Sequence, residues 1–573
     1  MRRAVIGGAI CAVAALAAAS LGTAAGPHKR GGTFIIVSAG DIDYADPGQT
    51  YYSFTSQMLT PVNRALYTVP ADKYEPKPDI AAGPAKISAD GKTVTIKIRK
   101  GVRFAPPVNR EVTAADVKYA IERGFSASVA NPYAGAYFSV IAGTPSNLPK
   151  TPKPVSGIKT PDKYTLVFKL KHKTGVFVGA LVMPLTAPVP KEYAAKFDNK
   201  TTSDYAFNQV STGPYMIKND SKGNIKGVGY SPGKFMTLVR NPNWNPKTDF
   251  RPAYLDEIQL KEGFSDTTVA TRQIISGTAD YNGDFTPPPA LLRQLATTSN
   301  LKDNFYRFSL GIAYMAMNMT KKPFDDLHVR RAVEYVVDRN AMRLVVGGPL
   351  TGPIATHIIG PDFKGTGFEA AGGFAFDPYP TKNFAGDVAK AKAELRKAGF
   401  ASGMYDGPAV TAVVGNTPVG VNYGKTVAAS LAKIGITVNV KPVSPDAMYT
   451  KFCNVPKNQP ELCPSVGWLP DFKEPQTLLD PTFNGNAILP SGNSNWPQLN
   501  DAAINKAMEK AKLILDPQAR YRAWGKIDKM IMALAPVVPL QWTDTINVVS
   551  DRVVVAKMTA FQGQPDLAFT SLK

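Results

Sequence analysis

At 573 residues the chain exceeds what one hydrophobic core supports, and two to four domains are expected. Apolar residues make up 44% and charged residues 19%, which excludes a disordered chain and indicates a globular one. A net charge of +21 suits nucleic acid, an acidic polymer or an anionic membrane face, yet no basic run exceeds a few residues, so a solvated surface and no nucleic acid are expected.

The first 25 residues carry the marks of an export signal. Arg2 and Arg3 form a positive start, residues 4–21 are apolar and Ala-rich, and Thr23-Ala24-Ala25 supplies the small-residue cleavage site. An uncleaved anchor is the alternative, since the apolar run is about long enough to span a bilayer. Cys11 is a poor lipoprotein site because the bulky Ile10 precedes it. Losing Arg2 and Arg3 with the signal leaves +19. It also leaves two cysteines, Cys453 and Cys463, and an even pair ten residues apart in an exported chain reads as a disulfide.

Taken in order, Gly31-Gly32-Thr33 leads into a strand over 34–37. Asp46-Pro47 then turns the chain into Gln49-Thr50-Tyr51-Tyr52-Ser53. Asp90-Gly91 supplies a hairpin turn, after which Val94, Ile96 and Ile98 alternate with polar residues as in a half-buried strand. Thr113 stands three residues before Asp116, a capping-box pattern, and Val117, Ala120, Ile121 and Phe125 follow at helical spacing. A further alternating strand covers 162–170, with Lys169, Lys171 and Lys173 on one face. Beyond the Ser211-Thr212-Gly213-Pro214-Tyr215 turn, strands are expected at 236–240 and from 255. An apolar strand over 305–318 leads into a new domain. Helices are expected at 329–339 and at 390–400, the second stopped by Gly399. Residues 408–442 form a βαβ unit, which implies a parallel sheet. Helices at 505–515 and 521–534 precede a last strand at 536–542.

The run SADGKTVTIKIRKGVRF (88–104), followed by TAADVKYAIER (113–123), closely resembles the signature of the peptide-type (family 5) solute-binding proteins of bacterial ABC importers. Gly31-Gly32-Thr33, the Ser211–Tyr215 turn, Gly277 with Asp280, Pro323-Phe324-Asp325 with Val329-Arg330 and Asp338-Arg339, and Gly467-Trp468 with Asp471 extend the likeness from about 31 to 542. The resemblance implies an α/β, two-lobed periplasmic-binding-protein-like fold: mixed sheets flanked by helices, a hinge of crossing strands, and an extra subdomain in the first lobe. Its implied division is a signal at 1–25, the first lobe at 26–66, 206–304 and 536–573, the subdomain at 67–205, and the second lobe at 305–535. The implied function is capture of peptides, or a similar cationic solute, and delivery to an ABC permease by an exported monomer in the periplasm or at the outer face of the cytoplasmic membrane.

In peptide-binding relatives the residue matching Asp471 pairs with the α-ammonium of the ligand. A desolvated carboxylate favours a cation over a neutral group, and Trp468 would offer an apolar wall. The plain alternative for Asp471 is a surface turn residue, and for Tyr51 and Tyr52 it is helix packing. Trp468, Asp471, Tyr51, Tyr52, Ser53 and Tyr314 make up the expected ligand-binding set. Asp362 stands where dipeptide relatives can carry an Arg for the ligand's carboxylate, so a longer peptide or another cationic solute fits better than a tightly held dipeptide.

Other motifs carry less. Gly229-Tyr230-Ser231-Pro232-Gly233 matches a nucleophile elbow, but Pro232 follows the serine and a strand comes next, where the elbow needs a helix. A secreted hydrolase using Ser231 is the enzymatic alternative, and a polyanion or cell-wall binder is the electrostatic one. Gly420-Val421-Asn422-Tyr423-Gly424-Lys425-Thr426 has a spacer one residue short of a phosphate-binding loop. The four histidines, His28, His172, His328 and His357, are dispersed. No catalytic residue, metal site or cofactor is expected.

Overall fold

Period-2 alternation builds the larger sheets of the computed structural model, which describes residues 28–573 apart from 71–74, 300, 556 and 560–562. The expected signal, with Cys11, lies outside the described residues.

The first lobe centres on a six-stranded mixed sheet. Strand Thr33–Val37 turns Phe34 and Ile36 into the core and pairs in parallel with Glu257–Lys261 and Tyr281–Asn282. Phe235–Arg240 runs antiparallel beside Glu257–Lys261, and Tyr215–Ile217 and the short Tyr230–Ser231 flank it. Asp280 is buried and accepts from the Ile35 amide (2.8 Å) and the Ser550 hydroxyl (2.9 Å), so it ties the first strand to the end of the chain. In the Ser211–Tyr215 turn, a Cβ on Gly213 would stand 2.3 Å from the Pro61 carbonyl oxygen. Only glycine lets the backbone pass there.

The second lobe centres on a five-stranded sheet in the order Val438–Val443, Val410–Gly415, Leu462–Trp468, Phe305–Met317, Val537–Val548. Val410–Gly415 and Val438–Val443 are parallel, joined by helix Pro418–Ala432. That helix starts at Pro418 on a Thr417 cap and so contains the whole 420–426 stretch, leaving no loop there to cradle a phosphate.

Strands Phe305–Met317 and Val537–Val548 pair antiparallel along their length, from Phe305 opposite Val548 to Ala316 opposite Val537. Their far ends reach the first sheet: the Tyr281 hydroxyl donates to Asn547 Oδ1 (2.9 Å) and the Asn282 amide group to the Ile546 carbonyl (3.1 Å).

The 86–170 region forms a separate four-stranded antiparallel sheet, with Val94, Ile96 and Ile98 buried. Helix Ala114–Gly124 starts on a capping box in which the Thr113 amide donates to Asp116 Oδ2 at 2.7 Å. In its last turn Arg123 is wholly buried and forks between Asp46 (2.6 Å) and Asp198 (2.7 Å). Two carboxylates on one desolvated guanidinium pin this region to the segment that precedes Tyr51.

Candidate functional site

A cavity of about 230 Å³ is lined by residues from distant parts of the chain. From one side it is lined by Tyr51, Tyr52, Ser53 and Tyr133, and from the other by Tyr449, Trp468 and Asp471. Five of the six residues singled out in the sequence therefore line one space.

Tyr51 and Tyr52 immediately precede helix Ser53–Leu59, with Tyr52 at its N-cap position. The Asp43 carboxylate holds this entry by accepting from the Tyr51 (2.7 Å) and Tyr52 (3.0 Å) amides. The Tyr51 ring lies 6.0 Å from that of Trp468 and 6.5 Å from that of Tyr449, so aromatic faces from both sides enclose the cavity. The Tyr52 hydroxyl donates to Asp284, whose carboxyl burial pushes up to about 6.

Trp468 ends strand Leu462–Trp468, and its indole N–H donates to the Thr477 carbonyl at 2.8 Å. The expected disulfide, Cys453–Cys463, joins this strand near its start to the end of the Met448–Cys453 turn. Beyond Trp468, buried Glu474 receives a two-pronged bond from Arg520 (3.0 and 2.8 Å), and the Thr477 hydroxyl donates to the Glu474 carbonyl (2.7 Å). The loop that presents Asp471 is thus held at both ends.

Asp471 is half-buried and faces phenols instead of a cation. The Tyr137 hydroxyl donates to Oδ2 at 2.5 Å, and the Tyr133 hydroxyl, which donates to the Tyr51 carbonyl at 3.1 Å, stands near enough to act on the carboxyl's ionisation. Burial outweighs both hydroxyls and pushes the carboxyl up to about 7. The same burial, and then the charge of Asp471, raise the Tyr137 phenol well above its ordinary value. Tyr137 packs against Phe472 with ring centroids 5.2 Å apart. A carboxyl in this setting gives up its proton less readily than a free one.

Tyr314 does not line the cavity. It is fully buried between Phe483 and Trp496, with ring centroids 5.9 and 5.7 Å away, and its hydroxyl has no partner. Tyr133, Tyr137, Tyr449 and Phe472 were not singled out in the sequence. The i, i+4 spacing of Tyr133 and Tyr137, which places their rings 6.1 Å apart, was the available signal. Asp362 is exposed, on the short turn Pro361–Phe363.

Ser231 sits on a two-residue strand that hairpins into Phe235–Arg240, a strand–turn–strand setting unlike a nucleophile elbow. His328 bonds Glu394 at 2.7 Å. Among the described residues, no group of three His, Cys, Asp or Glu side chains could hold a metal ion, and no helix is long and apolar enough to cross a membrane.

Residues 75–489 match the model of the bacterial extracellular solute-binding proteins, family 5 middle region. The chain is 26% identical over 481 residues to di/tripeptide-binding protein 1 of Pseudomonas aeruginosa, covering 79% of this chain and 78% of that one. It is 24% identical over 508 residues to the glutathione-binding protein GsiB of Salmonella typhimurium, covering 84% and 83%. Among solved structures, clavulanic acid biosynthesis oligopeptide binding protein 2 superposes with a TM-score of 0.78 at 28% identity, covering 95% of this chain and 96% of that one. The periplasmic binding protein DppA of Helicobacter pylori, in complex with the peptide STSA, gives 0.78 at 21% identity, covering 95% and 98%, a likeness of fold. The chain belongs to the family 5 bacterial extracellular solute-binding proteins.

Proposed function

We propose that this protein captures peptides, or a similar amino-bearing solute, between its two lobes and hands them to an ABC-type permease. The observation that carries the reading is the Asp471 carboxylate: it lines the cavity, it is desolvated, and its hydrogen bond comes from a phenol. An α-ammonium would favour its ionised form, while Trp468, Tyr51 and Tyr449 would enclose the adjoining atoms.

The domain division follows the same logic. Residues 26–66, 206–304 and 536–573 form the first lobe with its subdomain at 67–205, residues 305–535 form the second, and the crossing strands act as the hinge. Closure needs only that the solute bind the closed form better than the open one. The protein acts as an exported monomer in the periplasm or at the outer face of the cytoplasmic membrane, performs no catalysis and needs no cofactor. Support comes from the family, from two-sided enclosure of the cavity, and from the lack of a nucleophile elbow at Ser231.

Mass spectrometry of small molecules released from natively purified protein tests this reading. A solute with a free amino group is expected. Release of solutes lacking any cationic group would overturn it.

A further inference from the structure

A second cavity, of about 510 Å³, shares no lining residue with the first. Its size falls in the range of small-molecule sites. Four separated stretches form its walls: helix Arg339–Val345 contributes Asn340 and Arg343, the 353–356 stretch contributes Pro353, Ile354 and Thr356, the 374–384 stretch contributes Phe374, Asn383 and Phe384, and the crossing strand contributes Trp542.

Two donors on residues of this lining lack acceptors. Arg343 donates from Nη2 to Asn340 Oδ1 at 3.2 Å, but its Nε–H is buried without a partner. Trp542 is only 1% exposed, and its indole N–H is likewise buried and unpaired. Each unsatisfied buried donor costs about 1–3 kcal/mol, and native structures keep few of them. The Arg343 donor stands on a lining residue, where an acceptor-bearing guest would relieve it.

The apolar part of the cavity has its own unexplained features. Phe374 is 62% exposed, a large apolar surface presented beside the Trp542 ring, with centroids 5.3 Å apart. Asn383 (φ +53°) and Phe384 (φ +57°) are consecutive left-handed residues, and for a bulky phenylalanine that conformation is strained by about 1–3 kcal/mol. The strained pair keeps Phe384 in the lining.

We propose that this cavity is a second binding site, for a small aromatic carboxylate, with the carboxylate on the Arg343 guanidinium and the ring among Phe374, Phe384 and Trp542. The planar guanidinium fork suits a carboxylate, and the phenyl rings offer stacking and edge contacts. This goes beyond capture at Asp471: that carboxylate selects a cation, whereas this pocket selects an anion.

Phenylacetate titrated into the full-length protein, followed by tryptophan fluorescence and calorimetry, tests the site. Saturable binding with a Kd of about 1 mM or below is expected. The uncharged phenylacetamide should bind at least about tenfold more weakly, and Arg343→Met should weaken phenylacetate by about the same factor. Phe374→Ala, at a surface position that should not affect folding, should weaken phenylacetate with the melting temperature unchanged. Absence of saturation up to about 10 mM, equal affinity for phenylacetamide, or undiminished binding in a folded Arg343→Met protein would overturn the proposal. Phenylacetate carries no ammonium group, so this result and the reading of Asp471 stand or fall separately.

Discussion

Replacing Asp471 by Asn removes the charge while keeping the shape of the side chain. In the unliganded protein the carboxyl sits at about 7, because burial opposes ionisation more than the Tyr137 and Tyr133 hydroxyls favour it. A bound ammonium reverses that balance. At 4 Å and an effective dielectric of about 20, the pair gains about 4 kcal/mol before the ammonium's own desolvation is subtracted. A net loss of at least about 1.4 kcal/mol, or tenfold in affinity, is expected in Asp471→Asn. Only the ionised carboxylate pairs, so wild-type affinity should fall by up to about tenfold per pH unit below about 7, and the variant should show no such slope. Stability moves the other way. A folded value above the unfolded one means that the protonated form favours folding, with the benefit full below about pH 4 and lost as pH rises through about 7. Unliganded Asp471→Asn should therefore melt higher than wild type above pH 7 and no higher near pH 4. The assay is calorimetry with trialanine and N-acetyl-trialanine across that pH range. Equal affinities in wild type and variant, or equal affinity of the wild type for both peptides, would refute the reasoning.

Three other changes probe the frame that holds the site. Reducing Cys453–Cys463, or replacing both cysteines by Ser, should cost about 2–3 kcal/mol in denaturant titration, from the loop entropy of a ten-residue separation. Arg123→Met leaves the buried Asp46 and Asp198 without their cation and should cost about 3–5 kcal/mol, read by urea unfolding at neutral pH. Gly213→Ala places a Cβ 2.3 Å from the Pro61 carbonyl, which is backbone and cannot rotate away, so a loss of about 1–3 kcal/mol is expected by thermal melting.

The elements that could be read from the chain are those whose causes are local. The capping box at Thr113 and Asp116, the alternating burial of Val94, Ile96 and Ile98, and the Gly399 stop at φ +98° all depend on neighbours within a few residues. The apolar 305–318 run was legible as a strand, but its pairing with Val537–Val548 is a contact across more than two hundred residues. The site divides in the same way. Asp471 and Trp468 lie in a recognisable segment, whereas Tyr137 meets Asp471 only because a helical turn of the subdomain folds against a loop of the second sheet. Tyr314 shows the limit of strand periodicity. Alternation does not tell which face of a buried central strand meets a cavity and which meets the core, and Tyr314 packs on Phe483 and Trp496.

A crystal structure of the protein with its co-purified solute tests the central claim most directly. The account predicts a solute nitrogen within about 3 Å of an Asp471 oxygen, enclosed by Tyr51 and Trp468. A solute bound elsewhere, with Asp471 still served only by Tyr137, would contradict it.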